Sequence, residues 1–210
     1  MKKPKLFLSN KPMPQNLLNQ KVFLWIYTNN PHAPFYAFTP LAILLLISSI
    51  YIGLTTTSIL FYGILGILFW SFFEYCMHRF LFHWQPKHPY LKKWLYTVHH
   101  GHHDYPNDNR IMLVHPLISL VAFFLLFGVI YALINTTSLP LMMGFAISYM
   151  FYDWLHYASH NHNFKNPFFQ KMKKHHLQHH YTNNQKNFGF TSITWDVIWQ
   201  TLLKIKKRNR

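Results

Sequence analysis

The stretch that decides the fold runs from 116 to 160: PLISLVAFFLLFGVIYALINTTSLPLMMGFAISYMFYDWLHYASH. It carries no Asp, Glu, Lys or Arg before Asp153 and closes on two histidines four residues apart, His156 and His160. An apolar run of this length holds two membrane-crossing helices, because about 20 residues cross about 30 Å of hydrocarbon. The polar NTTSLP in its middle supplies the turn.

A second charge-free stretch, 22–73, reads the same way, with LTTTS as its turn. The spans are expected at about 35–53, 59–76, 116–134 and 139–157. Half of the chain is hydrophobic and only 12% is charged, well below the roughly 25% of soluble domains. Neither connecting turn carries charge, so everything charged falls on one side of the bilayer, together with both termini. The basic residues flank the spans: Lys2, Lys3, Lys5, Lys11 and Lys21 before them, Lys204, Lys206, Lys207, Arg208 and Arg210 after. Lys and Arg beside spans mark the cytosolic side and suit anionic lipid headgroups. The net charge of +15 therefore points to a membrane surface and not to nucleic acid.

The expected fold is all-α and integral to the membrane. Four transmembrane helices form two hairpins below a cytosolic, histidine-rich helical cap. Residues 1–20 read as a basic, loosely ordered tail, 21–205 as the membrane domain and 206–210 as a basic C-terminal tail. Residues 21–34, with Trp25 and Tyr27, suit an interfacial segment.

Fifteen of the 16 histidines lie between 78 and 180. Ten form four words: HRFLFH (His78, His83), HHGHH (His99, His102, His103), HYASH (His156, His160) and HLQHH (His176, His179, His180). Positions i, i+3 and i+4 share a helix face, so each HxxHH is expected to project three imidazoles from one face. His78 and His83, five apart, align less well on an ideal helix. Neutral imidazole is the commonest metal ligand, and a metal takes four to six ligands, so ten imidazoles suggest two metals. His32, His88, His100, His115, His162 and His175 are left out of the ligand set, as structural or as outer partners of the ligands.

Of five acids, Glu74 and Asp153 precede His78 and His156 at helical spacing, and Asp104 follows His103. Metal-bound histidines donate their second N–H to such groups, so these three are expected outside the ligands. Tyr105, Asn107, Asp108 and Arg110 are candidates for gripping a polar lipid head. All-imidazole ligation allows zinc, iron, copper or nickel. A hydrolytic zinc site uses three ligands and a water, a poor match to ten histidines at a bilayer surface. Two irons handling dioxygen match the donors, and a lipid substrate explains the place. Zinc in a purified sample would not exclude iron. A metal transporter would set its ligands near the bilayer midplane; here they cluster at the span ends. An inert membrane protein with a structural metal is the further alternative.

The longer words EYCMHRFLFH (74–83), HGHHDYPNDNRIMLVHP (100–116), FYDWLHYASH (151–160) and KKHHLQHHY (173–181) with FGFTSITWD (188–196) resemble the fatty acid hydroxylase superfamily, and within it the fatty acid 2-hydroxylases. The resemblance covers about residues 20–203. It implies a dimetal centre of two irons bound by the ten histidines named above. It also implies hydroxylation at C2 of a long-chain fatty acid or of a sphingolipid's acyl chain, with O2 as cosubstrate and two electrons. Sterol, carotenoid or sphingoid-base hydroxylation or desaturation is the alternative within the superfamily. Many eukaryotic members carry a fused cytochrome b5 domain with an HPGG haem motif, which this sequence lacks. No haem is expected, and a separate donor, cytochrome b5 or a ferredoxin with its reductase, supplies the electrons. A bacterial inner membrane is the expected location, or the endoplasmic reticulum in a eukaryote.

Overall fold

The computed structural model describes residues 6–18 and 25–204. The expected C-terminal tail, 206–210, lies outside the described residues, as do parts of the N-terminal tail and of the interfacial segment. The chain divides into two compact units: Met13–Phe73 with Asp108–Ala158, and Met1–Pro12 with Glu74–Asn107 and Ser159–Arg210.

The first unit is built from apolar helices. Helix α1 (Ala33–Tyr51) begins with Pro34 in its first turn, where the missing N–H costs nothing. It ends where Gly53 adopts φ 80° and the amides of Ile52, Gly53 and Leu54 turn back onto the carbonyls of Ser48, Ile50 and Ser49. Helix α2 (Thr56–Cys76) is opened by the Thr55 hydroxyl, which accepts from the Ser58 amide. Helix α5 (Pro116–Ile134) is capped by His115, whose ring accepts from the Leu117 amide. Asn135, at φ 52°, stops it, and after one 3-10 turn α6 runs over Ser138–Asn161.

The core of this unit is Phe38, Leu45, Trp70, Phe123, Met142, Phe145, Ala146 and Met150. Helices α2 and α6 meet backbone to backbone. A Cβ on Gly66 would run into the Leu141 carbonyl, and one on Gly144 into the Gly63 carbonyl. Such small-residue contacts are typical of helices packed in lipid. The outward stripe on α5, Leu117, Val121, Leu125, Val129 and Leu133, is apolar and exposed. So are Ile43, Leu44, Ile47 and Ile50 on α1. Contiguous apolar surface of this kind needs a non-aqueous neighbour.

Among the described residues, three stretches are long and apolar enough to cross a membrane: Ala33–Tyr51, Thr56–Phe82 and Pro116–Asn161. The third is α5 and α6 together, broken at Asn135. Where the sequence led to a second span ending at 76, the helical run continues to Phe82 because a π-helical segment, Met77–Phe82, follows α2 directly. The all-α expectation also gains a small exception. Strand β1 (Tyr27–Thr28) pairs antiparallel with β2 (Leu113–Val114), Tyr27 opposite Val114. Tyr27 is buried while Trp25 is exposed, so the two aromatics of the supposed interfacial segment part company.

The second unit carries most of the histidines. Helix α3 (Pro89–Leu95) passes into a π-helical turn, Tyr96–His100, and then into α4 (Gly101–Asp104). Helix α7 (Pro167–Tyr181) is capped by Asn166, whose side chain accepts from the Phe168 amide. It buries Met172, His175, His176, His179 and His180 and exposes Lys171 and Lys174 on its other face. A loop returns from α7 to the short α8 (Thr194–Ile198). The stretch read as a loose tail also contributes here: the amides of Leu8 and Ser9 both donate to the Asp104 carbonyl.

Candidate metal centre

Two groups of histidines converge. In the first, His78, His83, His99, His103 and His179 each offer a ring nitrogen, all within 4.8 Å of one another. In the second, within the same unit, His102, His160, His176 and His180 do likewise. His156 belongs to the other unit and stands one turn before His160 on α6, at the i, i+4 spacing that puts two side chains on one helix face. His103 of the first group and His180 of the second stack face to face, ring centroids 4.1 Å apart and planes 19° apart.

The grouping corrects the expectation that each HxxHH serves one face. His99 and His103 stay together, as do His176 and His180, but the third member of each word, His102 or His179, goes to the other group. Successive residues on an α-helix are separated by about 100°, so each adjacent pair, His102–His103 and His179–His180, straddles the two groups. The five-residue spacing of His78 and His83 is explained by the π turn. The His83 amide bonds to the His78 carbonyl at 3.1 Å, the i to i+5 closure that defines a π-helix. That wider turn lets the two rings meet, Nε2 to Nε2, at 3.2 Å.

The donor set fits cations. The Nδ1 of His78 lies 2.6 Å from the Phe188 carbonyl, and that of His179 lies 2.7 Å from the Lys186 carbonyl. A carbonyl only accepts, so each Nδ1 holds the proton and each Nε2 presents a lone pair. Yet His83 Nε2 sits 3.2 Å from that of His78, 3.0 Å from that of His179 and 3.2 Å from that of His99. If His83 Nε2 carries its ring's proton it can serve only one of these contacts well; if it does not, its lone pair faces those of His78 and His179, a repulsion that a shared cation turns into ligation. His160 and His176 meet similarly at 2.9 Å. Both ring nitrogens of His180 and Nδ1 of His103 are buried with no hydrogen-bond partner among the described residues. Burial, reinforced by neighbouring imidazoles, pushes the pKa of His83, His99, His103 and His180 well down. They are therefore neutral, the form that ligates.

One acid is placed differently from expectation. Glu74 does not reach His78; its carboxylate accepts from the amides of Phe190 and Thr191 and from the Thr191 hydroxyl. Asp104 takes a hydrogen bond from Tyr96. Asp153 is hydrogen-bonded with Tyr149, and its Oδ2 is buried with no hydrogen-bond partner among the described residues. Of the four supposed headgroup residues, Asp108 and Arg110 satisfy each other. Arg110 Nε and Nη2 donate to Asp108 at 2.8 and 2.7 Å, and the guanidinium also donates to Gln15 Oε1 and to the Met13 carbonyl. The Met13 amide completes the clamp by donating to Asp108. Tyr105 is buried, and exposed Asn107 accepts from the Tyr181 hydroxyl at 3.3 Å.

Sequence reasoning named Asp196 without giving it a role and left His175 as structural or as an outer partner of the ligands. Asp196 is fully buried and accepts from His175 Nε2 at 3.1 Å, the amides of Phe188 and Gly189 and the Thr201 hydroxyl. Burial alone would raise its pKa, but these hydrogen bonds hold it below the usual carboxylate value. The available signal was a single acid inside the apolar word ITWDVIW, which can be buried only if partnered.

Comparison with known proteins settles the relationship. The family model described as fatty acid hydroxylase matches residues 63–201. The chain belongs to this family. It is 34% identical over 155 residues to a dihydroceramide fatty acyl 2-hydroxylase of Arabidopsis thaliana, covering 73% of this chain and 65% of that one. It is 34% identical over 145 residues to the fatty acid 2-hydroxylase of Mus musculus, covering 67% of this chain and 39% of the relative. A solved structure of full-length scs7p, in which only the hydroxylase domain is visible, superposes with a TM-score of 0.80 at 27% identity, over 92% of this chain and 72% of that one. This member of the fatty acid hydroxylase family thus spans about two thirds of the plant relative and about two fifths of the mouse one.

Proposed function

We propose that the chain is a membrane oxidoreductase that hydroxylates C2 of a long-chain fatty acid or of the acyl chain of a sphingolipid. The observation that carries this is the pair of adjoining, largely buried imidazole groups in a chain whose apolar helices are sized to cross a bilayer. The relatives' names, fatty acid 2-hydroxylase and dihydroceramide fatty acyl 2-hydroxylase, supply the substrate class.

Two irons are the proposed occupants, one held by His78, His83, His99, His103 and His179, the other by His102, His156, His160, His176 and His180. Such a pair supplies activation of O2, with two electrons from a separate donor, cytochrome b5 or a ferredoxin with its reductase. In the overall reaction one oxygen atom enters the C2–H bond, and the other leaves as water with two electrons and two protons. The protein's own share is positional. Carbonyls fix the tautomers of His78 and His179, burial keeps His83, His99, His103 and His180 neutral, and near-complete exclusion of bulk solvent from His179 and His180 protects the reacting centre from water. Four spans in two hairpins, with the metal ligands and both termini in the cytosol, complete the proposed topology.

Lipid mass spectrometry of cells expressing the chain, beside a His102→Ala control, tests this proposal. A wild-type-only lipid heavier by one oxygen, with fragments placing the hydroxyl on C2, supports it. A product lighter by two hydrogens, or an oxygen on a sterol or sphingoid base, replaces it.

A further inference from the structure

Between α7 and α8 the chain passes through KNFGFT, residues 186–191. Four consecutive amides of this loop are held by two carboxylates from other elements. Phe188 and Gly189 donate to Asp196 at 2.9 and 2.8 Å, and Phe190 and Thr191 donate to Glu74. The loop's other edge faces the histidines, with the Phe188 carbonyl on His78 Nδ1 and the Lys186 carbonyl on His179 Nδ1. Asn187, between them, is buried with φ 59°. This left-handed residue is locked by its amide on the Thr201 carbonyl and its side-chain oxygen on the Leu203 amide. Gly189 is needed because a Cβ there would meet the Ser192 carbonyl and Asp196. Asp196 is itself fixed by His175 and by Thr201, whose hydroxyl also meets the Tyr75 hydroxyl at 2.8 Å.

We infer that Glu74 and Asp196 are positioning residues that act through the 186–191 loop on one of the two metal sites, the one built from His78, His83, His99, His103 and His179. This rests on the metal-centre reading above. Neither carboxylate touches a ligand ring; together they set the two carbonyls that orient and tautomerise two of its five ligands. His78 and His179 both belong to that site, so the clamp acts on one metal more than on the other.

Zinc serves as the probe, and stoichiometry and chelator competition are the readout, on the full chain in detergent. The wild type is expected to hold two zinc ions. Asp196→Asn puts an amide NH2 where an acceptor is needed, and Glu74→Gln does the same at the other end of the loop. Each variant should keep its helical circular dichroism and hold one zinc as the wild type does. The other zinc should bind about 10–100-fold more weakly, as outer partners of metal ligands typically require. Adding His180→Ala should remove the tight zinc and leave the weak one. Should either carboxylate variant fail to fold, Thr191→Val, which removes only a hydroxyl donor from Glu74, carries the test through faster zinc release from the same site. Wild-type affinity for both ions in all folded variants overturns the inference, as does equal weakening of both ions. A wild type that takes up no zinc would instead sink the metal centre, and this inference with it.

Discussion

His103 and His180 stack with ring centroids 4.1 Å apart, and each belongs to a different imidazole group. The stack follows from two adjacent-histidine pairs, one on α4 and one on α7, each sending one ring to either side. The two helices exchange histidines: α4 lends His102 to the group centred on α7, and α7 lends His179 to the group that contains His99 and His103. Removing one ring should therefore disable a specific metal. His179→Ala and His180→Ala, neighbours in sequence, are expected to lose different ions, each by more than the roughly 10–100-fold that outer partners cost, and both should lose activity. His100→Ala, outside both groups, should retain two metals. Metal content per chain checks all three variants.

The backbone contact between α2 and α6 leaves no room at Gly66 or Gly144. Gly144→Ala should lower stability by about 1–3 kcal/mol, the usual range for overpacking. Gly128 on α5 has nothing within 4 Å of an added Cβ, and Gly128→Ala should be stabilising by roughly 0.5–1 kcal/mol from helix propensity. Thermal unfolding in detergent ranks the two.

Asp108 illustrates a charge used for structure. Its burial would raise its pKa, but the hydrogen bonds and charge of Arg110 and the Met13 amide hold it below the ordinary value. A carboxyl with a depressed folded-state pKa stabilises the fold above the unfolded pKa, about 3.9, and loses that contribution as pH falls through its folded value. The wild type should therefore lose stability on acidification below about pH 4, and Asp108→Asn should lack that component. If the pair gripped lipid heads, Asp108→Asn would raise KM; the clamp geometry predicts an unchanged KM for folded enzyme.

Much of this was readable in advance. The charge-free runs located the apolar helices, since lipid excludes charge regardless of tertiary detail, and the regular words located the converging histidines. The division of His102 from His103 was hidden because HxxHH is equally consistent with one face or two until a partner helix is placed. The closeness of His78 and His83 depends on a π turn, a hydrogen-bonding choice that composition does not announce. Glu74 acts on backbone amides 116 and 117 residues away and Asp196 on amides seven and eight residues back across a loop, and neither contact leaves a periodicity to detect. Asp108 and Arg110 looked free to meet a ligand because Met13 and Gln15, which occupy them, lie 95 residues earlier in the sequence.

The proposed reaction inserts an oxygen atom from O2 at C2 of an acyl chain. The most direct test supplies the iron-loaded protein in lipid with a long-chain fatty acid, a reducing ferredoxin system and isotopically heavy dioxygen, then analyses the product by fragmentation. A hydroxyl at C2 carrying the heavy isotope is expected in wild type and none in His179→Ala. A C2 hydroxyl with oxygen from water, or equal product from His179→Ala, would contradict it.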